Sequence, residues 1–293
     1  VIDCTGDGDV AYRCGVPYEM GNEELNLMQP ATMFFHICNT DEEKMEADIQ
    51  ANINNFYRKN GVNYRSFHWR VAEAVSNGEW EVDGKPFNRV ALGLFRMPKP
   101  DEWCVNVSRI TGIDATDPES LTKAEIEGRK QVQMIFNMIR KYVPGCENAK
   151  IKASGSHVGV RETRHIAGDY RLVAEDLLQG KVPEDAILLA ANSVDVHGRF
   201  GPASNEYTPI SGDYYGVPYR SLIAKGVKNL LLAGRNVSAD STAAGAIRVM
   251  PPCMGMGQAA GTAAAMAVKG NTTVRRGDAQ DLRKVLKENG AYL

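Results

Sequence analysis

The clearest chemistry in this sequence belongs to Asp195 and His197, in the string Asp195-Val196-His197-Gly198-Arg199. An imidazole titrates near neutrality, and a carboxylate within reach fixes its tautomer, so the pair suits general acid–base work. Two residues apart on an extended chain they need not touch, and an ordinary surface histidine is the plainer reading. A second concentration of charge is Gly159-Val160-Arg161-Glu162-Thr163-Arg164-His165. Period-2 alternation sets Arg161, Thr163 and His165 on one face and Val160, Glu162 and Arg164 on the other. The cluster is either an exposed, ion-paired edge strand or a substrate anchor. As an anchor, one arginine would hold an oxygen or carboxylate while Glu162 neutralises the other. The third feature is a helix nearly without side chains, carrying Gly255, Gly257 and Gly261 among Ala259, Ala260 and Ala263 to Ala265. Such a helix either packs closely on a sheet or lets a flat ligand approach. Its first turn, expected at Gly257, Gln258 and Ala259, would offer unpaired N–H groups to an electron-rich partner.

Other chemistries find less support. His36 and His157 have weak contexts, and His68, between Phe67 and Trp69, reads as part of an aromatic packing cluster. No His/Cys/Asp set has catalytic-zinc spacing, and Asp7-Gly8-Asp9 lacks the further oxygen ligands of a calcium loop, so no metal is expected. Ser221, Ser238 and Ser241 sit in no GxSxG elbow, which excludes the common hydrolase arrangement. A net charge of −2 gives no reason to propose nucleic acid or an anionic membrane. The apolar runs fall short of the ~20 residues a membrane span needs. The expected partner is a small-molecule substrate, and nothing in the sequence specifies an oligomeric state. Cys4, Cys14, Cys38, Cys104, Cys146 and Cys253 form no CxxC pair; scattered this way they read as reduced thiols and favour the cytoplasm. The opening Val1-Ile2-Asp3-Cys4 resembles the inside of a strand, so a preceding segment is expected and targeting is not legible.

At 293 residues the chain has room for two domains of about 100–200 residues each. Val1 to Thr5 reads as a strand, Gly6-Asp7-Gly8 as its turn, and Asp9 as the cap of a short helix that Gly15 ends. Thr32 to Ile37, Val90 to Arg96 and Trp103 to Ile110 are strand candidates, with a hairpin loop at Met97-Pro98-Lys99-Pro100. Helices are expected over Asp41 to Lys59, Leu121 to Tyr142, Arg171 to Gln179 and Asp278 to Asn289. Ile151 to Tyr170 reads as strand-like, and Asn192 to Tyr219 as loop-rich. Leu230 to Ala233 is a last strand, stopped at Gly234-Arg235, before the small-residue helix. A strand–turn–helix unit at each end around a strand-rich middle predicts an α/β fold interrupted by a second, more antiparallel domain.

With these pieces placed, the chain resembles the FAD-dependent oxidoreductases of the two-dinucleotide-binding-domain type. The resemblance rests on Ile2-Asp3-Cys4-Thr5-Gly6-Asp7-Gly8-Asp9, on Gly159 to Arg164, and on Asn229 to Arg235 followed by Gly255 to Ala264. One departure is marked: the GxGxxG turn that cradles a pyrophosphate is absent. Gly255-Met256-Gly257-Gln258-Ala259-Ala260-Gly261 has one residue too many and follows no strand. The resemblance therefore implies the C-terminal portion of a longer flavoenzyme, with weak or absent FAD binding by this portion alone.

The resemblance also implies a Rossmann-like FAD-binding domain, incomplete at its N-terminus, over residues 1–24 and 151–293. An α+β substrate domain with antiparallel strands would occupy 25–150. Gly6, Asp7 and Gly8 would lie beside the dinucleotide, and Arg235 after Gly234 would pair with pyrophosphate or ribityl oxygens, or else merely solvate a strand end. Gly257, Gln258, Ala259 and Gly261 would face the flavin, where a helix N-terminus favours the charge of the reduced ring. Ser238, Asp240, Ser241 and Thr242 would bond the ligand or one another. The expected reaction is hydride transfer from a small organic substrate to flavin N5. His197 would remove a proton, and Arg161 and Arg164 would position the substrate. The alternatives are a flavin-dependent reductase of a double bond or ketone, and a non-catalytic binding module that keeps the fold.

Overall fold

The computed structural model describes residues 1–22, 24–55, 58–59, 62–63, 67–87, 89–199 and 205–293. Its contacts group the chain into two units. One comprises Val1–Gln29, Arg161–Arg199 and the described part of Ser204–Leu293; the other comprises Pro30–Val160. Helix and strand are mixed throughout, and no helix among the described residues is long and apolar enough to cross a membrane.

The Pro30–Val160 unit is built on a four-stranded antiparallel sheet, in the order Lys150–Ser154, Phe35–Cys38, Trp103–Val105 and Leu94–Arg96. The hairpin at Met97 to Pro100 joins the last two, with Arg96 opposite Trp103. The long helix Pro118–Tyr142 starts where Asp117 accepts from the N–H groups of Glu119 and Ser120, with proline in its first turn. Val132, Ile135, Phe136 and Ile139 repeat at helical spacing and are buried in one core with Phe35, Ile37, Trp103 and Val105. The helix expected over Asp41 to Lys59 is shorter: Glu42–Ala51, capped by Asp41, then a 3₁₀ turn at Ile53–Asn55. The end of that expected helix extends beyond the continuously described residues. The rings of Phe67 and Trp69 lie 5.7 Å apart; the side chain of His68 lies outside the described residues.

The other unit contains a parallel pair, Ile2–Asp3 with Leu231–Leu232, beside three antiparallel pairs. The first strand leads into the helix Asp9–Arg13. Its N-cap is Gly8, left-handed at φ 68°, and not Asp9. The Thr5 hydroxyl accepts from the N–H of Asp9 at 2.9 Å, supplying the oxygen that a capping side chain would have given. The stretch expected to be one strand over Ile151 to Tyr170 is two. Lys150–Ser154 pairs with Phe35–Cys38, whereas Arg164–Ile166 pairs with Tyr18–Met20, and the two belong to different units. The segment expected to be loop-rich, Asn192 to Tyr219, holds the strands Val194–His197, Asn205–Thr208 and Tyr215–Pro218. Its Val194, Val196 and Val217 are buried, and that β-branched pattern outweighs the surrounding turn-forming residues. The small-residue region is two helices, Ser241–Ile247 and Met250–Lys269, and a final helix spans Ala279–Glu288 with Asp278 as its cap.

Candidate functional site

The strand Val194–His197 sends Asp195 and His197 to the same face, because side chains two apart on a strand share a side. The spacing left their contact open; in the folded chain His197 Nε2 stands 3.3 Å from Asp195 Oδ2. A carboxylate only accepts, so the proton sits on Nε2 and the lone pair on Nδ1. The His197 backbone N–H donates to Gln29 Oε1 at 3.1 Å. Burial pushes the His197 imidazole below its ordinary 6.5; Asp195 works the other way, and the charge of Arg161 adds to the lowering. The imidazole is therefore neutral at pH 7. Asp195 is raised by burial but held below its usual range overall by His197, Arg248 and Arg161.

The helix Ser241–Ile247 lies directly on this strand. A Cβ added at Gly245 would meet Asp195 O at 3.0 Å and Val196 Cγ2 at 3.1 Å, so the close approach depends on glycine there. Asp240 caps the helix by accepting from Ala243 N, and it also accepts from Ala174 N. Asp240 thus serves the backbone of two segments. Arg248 follows the last helical turn, and its Nη2 donates to Asp195 O at 3.3 Å. Arg248 was not among the expected site residues. The available signal was its isolation: it is the only charged residue between Asp240 and Lys269.

The Arg161 to His165 cluster is not an exposed edge. Glu162, Thr163, Arg164 and His165 are all buried. Glu162, whose side chain is 0% exposed, accepts from Gln29 N at 2.8 Å, His165 Nε2 at 3.1 Å, Arg199 Nη2 at 3.0 Å and the Ser241 hydroxyl. Burial raises this carboxyl, but those donors outweigh it and hold Glu162 below the usual range. Glu162 therefore neutralises Arg199, not one of the two arginines beside it in sequence.

Arg164 also departs from expectation. Its Nη1 donates to Asp9 Oδ1 at 2.8 Å and Asp7 O at 2.9 Å, and its guanidinium lies 4.4 Å from the centre of the Tyr12 ring. That engagement makes Arg164 a fastener of the Gly6 to Asp9 turn. Arg235 pairs with Asp7 Oδ1 at 3.0 Å, an atom that also accepts from the Thr163 hydroxyl. A Cβ on Gly6 would lie 2.6 Å from Arg235 Nη2, and a Cβ on Gly8 would lie 2.6 Å from Ile166 Cδ1. Both glycines thus admit neighbouring side chains at positive φ; Gly234, at φ 115°, turns the chain after its strand.

Correction is also needed at the small-residue helix. It begins at Met250, with Val249 as cap and Pro251 and Pro252 in its first turn. Proline fixes a helical φ and lacks an N–H, so the helix starts early and its first turn is poor in donors. Gly257, Gln258 and Ala259 lie about two turns in, where the N–H groups belong to the helical ladder. Met256, Ala259, Ala260, Ala263 and Ala267 form the buried stripe, and Gly255 would press on Leu188 at 2.9 Å if it carried a Cβ. Gly257 and Gly261 face the other way, and a Cβ on either would meet nothing within 4 Å. A cleft of about 400 Å³ runs beside the start of this helix, lined by Pro251, Pro252, Gly255, Gln258, Ala191 and Tyr292 among others.

No curated protein and no solved structure gives a significant match to the chain. The family model for FAD dependent oxidoreductase matches residues 1–286, which is nearly the whole sequence, and the chain belongs to that family.

Proposed function

We propose that the protein oxidises a small organic substrate by passing a hydride to flavin N5, with His197 receiving the accompanying proton. The observation that carries this reading is the contact between the buried His197 imidazole, neutral at pH 7, and the partly exposed Asp195 carboxylate 3.3 Å away. A neutral imidazole accepts a proton without first losing one, which favours oxidation of an alcohol or amine over the reverse reduction. Nδ1, opposite the nitrogen that Asp195 engages, is the atom that takes the proton. Arg161, whose charge is felt at both members of the pair, orients the substrate beside it.

The residues present fit an FAD at several places. Gly257 and Gly261 give the helix Met250–Lys269 a face on which a flat ring can lie against backbone, with Gln258 beside it. Ala259 supports that face from the buried side. Arg235, partly exposed, has a guanidinium fork suited to phosphate oxygens. The Asn236 side-chain oxygen is buried without a hydrogen-bond partner next to it in sequence. The turn Gly6-Asp7-Gly8 would hold Arg235 in place through Asp7. When bound, FAD supplies the hydride-accepting chemistry, which no side chain can provide. The parallel strand pair supports a Rossmann-like fold for the unit carrying these residues, with Pro30–Val160 as substrate domain. The sequence holds no GxGxxG turn of the strand–turn–helix kind to cradle the pyrophosphate, so the tests are made in saturating FAD.

The test is rapid mixing of the FAD-loaded enzyme with substrate, followed by flavin absorbance. His197→Ala is expected to slow flavin reduction by about 10²–10⁴-fold. An unchanged rate removes His197 from the reaction, and a protein that binds no FAD even in large excess favours a binding module.

A further inference from the structure

The corner of the molecule next to His197 contains a guanidinium that the protein does not balance. Arg248 donates once, from Nη2 to a backbone carbonyl at 3.3 Å, and its Nε is buried with no hydrogen-bond partner. Asp195, its nearest source of opposite charge, spends its carboxylate on His197. Among the described residues no carboxylate comes within 4.0 Å of Arg248. The neighbouring arginines differ on this point. Arg164 has Asp9, Arg199 has Glu162 and Arg235 has Asp7, each at 3.0 Å or less.

Withdrawing a guanidinium from water without an anion costs several kcal/mol. Burial accordingly pushes the Arg248 guanidinium below its ordinary range, despite Asp195 and Glu162 acting in the opposite direction. The residue is also fixed in place. It sits between two helices, its carbonyl accepts from the Cys253 thiol at 3.3 Å, and Gly245 keeps the preceding helix tight against the His197 strand. A charge that is partly buried, held in place and without a carboxylate partner beside a proton acceptor has the properties of half a salt bridge.

We propose that Arg248 completes this salt bridge with a carboxylate of the substrate, which makes the substrate an organic acid oxidised at a carbon near its carboxylate. The inference rests on the oxidase reading of His197. An arginine fork holds a carboxylate by two parallel bonds, fixing orientation as well as position. The bound carboxylate also raises the proton affinity of His197, so the substrate strengthens the base that acts on it.

The experiment uses FAD-loaded enzyme and calorimetric titration with formate, acetate, succinate and benzoate, each against its uncharged amide at equal ionic strength. At least one carboxylate is expected to bind with a dissociation constant of about 1 mM or tighter, its amide at least about tenfold more weakly. Arg248→Met should weaken that carboxylate about tenfold or more, and Arg248→Lys should keep part of the affinity. Circular dichroism and FAD stoichiometry establish that both variants are folded and loaded. Equal binding of acids and amides by the wild type overturns the proposal. So does an Arg248→Met protein that binds the carboxylate normally but loses FAD, because the anion then belongs to the cofactor. A wild type that binds no FAD even at the highest soluble FAD concentration defeats the oxidase reading instead, and the preference for acids over amides is measured on that protein all the same.

Discussion

Two polar clusters in the same unit, one around the buried Glu162 and one around the partly buried Arg248, are finished to different degrees. Glu162 accepts from a backbone N–H, a ring nitrogen, a guanidinium and a hydroxyl, drawn from four separate stretches of chain. Arg248 has one long bond and an orphaned Nε. A saturated buried ion ties segments together and has nothing left for a ligand. An unsaturated one is a local cost to the fold and gains its partner only when something binds. The contrast separates Arg199, which Glu162 holds, from Arg248, which has no carboxylate within 4.0 Å among the described residues.

The largest expected break in that contrast is Glu162→Ala. Removing the carboxylate strands Arg199 in the interior and should cost about 3–5 kcal/mol, measured by urea unfolding. A loss under about 1 kcal/mol would mean that the cluster holds nothing together.

Acid titration sharpens the same point. The folded carboxyl of Glu162 lies below its ordinary 4.5 and the folded imidazole of His197 below its ordinary 6.5. In both cases the unfolded chain binds protons first, so the stability is fully present above the ordinary value and is lost as pH falls through the folded one. Unfolding free energy should therefore drop in a histidine step below pH 6.5 and in a carboxylate step below pH 4.5; Glu162→Ala should abolish much of the second step. Stability that rises on acidification across either window contradicts the assignment.

Arg248→Met is expected to behave oppositely to Glu162→Ala. Without ligand it removes an unpaired, partly buried charge and should leave the unfolding free energy unchanged or raise it by up to about 3 kcal/mol. A loss as large as that of Glu162→Ala would make Arg248 part of the scaffold.

The smallest effect concerns the bare helix face. Gly257→Ala meets nothing within 4 Å and lies in a helix interior, so it should raise stability by about 0.5–1 kcal/mol. The same change should weaken FAD binding if the face holds the ring. Unaltered affinity in equilibrium dialysis moves the cofactor elsewhere.

Some of this was legible in the chain as text. Asp117-Pro118 and Asp278 announce helix starts, and both act as caps in the folded molecule. The hairpin at Met97 to Pro100 joins its two strands as its prolines suggest. These signals are local: a cap or a turn is satisfied within four residues, so short-range chemistry decides it. The strands of 192–219 were hidden because glycine, proline and asparagine crowd a segment whose strand character comes from its pairing partners.

Sequence alone determined the family, the mixture of helix and strand, and the residue types from which a site could be made. Tertiary structure decided which arginine meets which carboxylate. Glu162 is next to Arg161 in the chain yet bonds Arg199, and Arg164 reaches back to Asp9. Alternation along a strand gives the side on which a charge emerges, whereas its partner comes from segments 37 to 155 residues away. An ion pair forms only where the fold removes water from both members at once, and that removal is a property of packing.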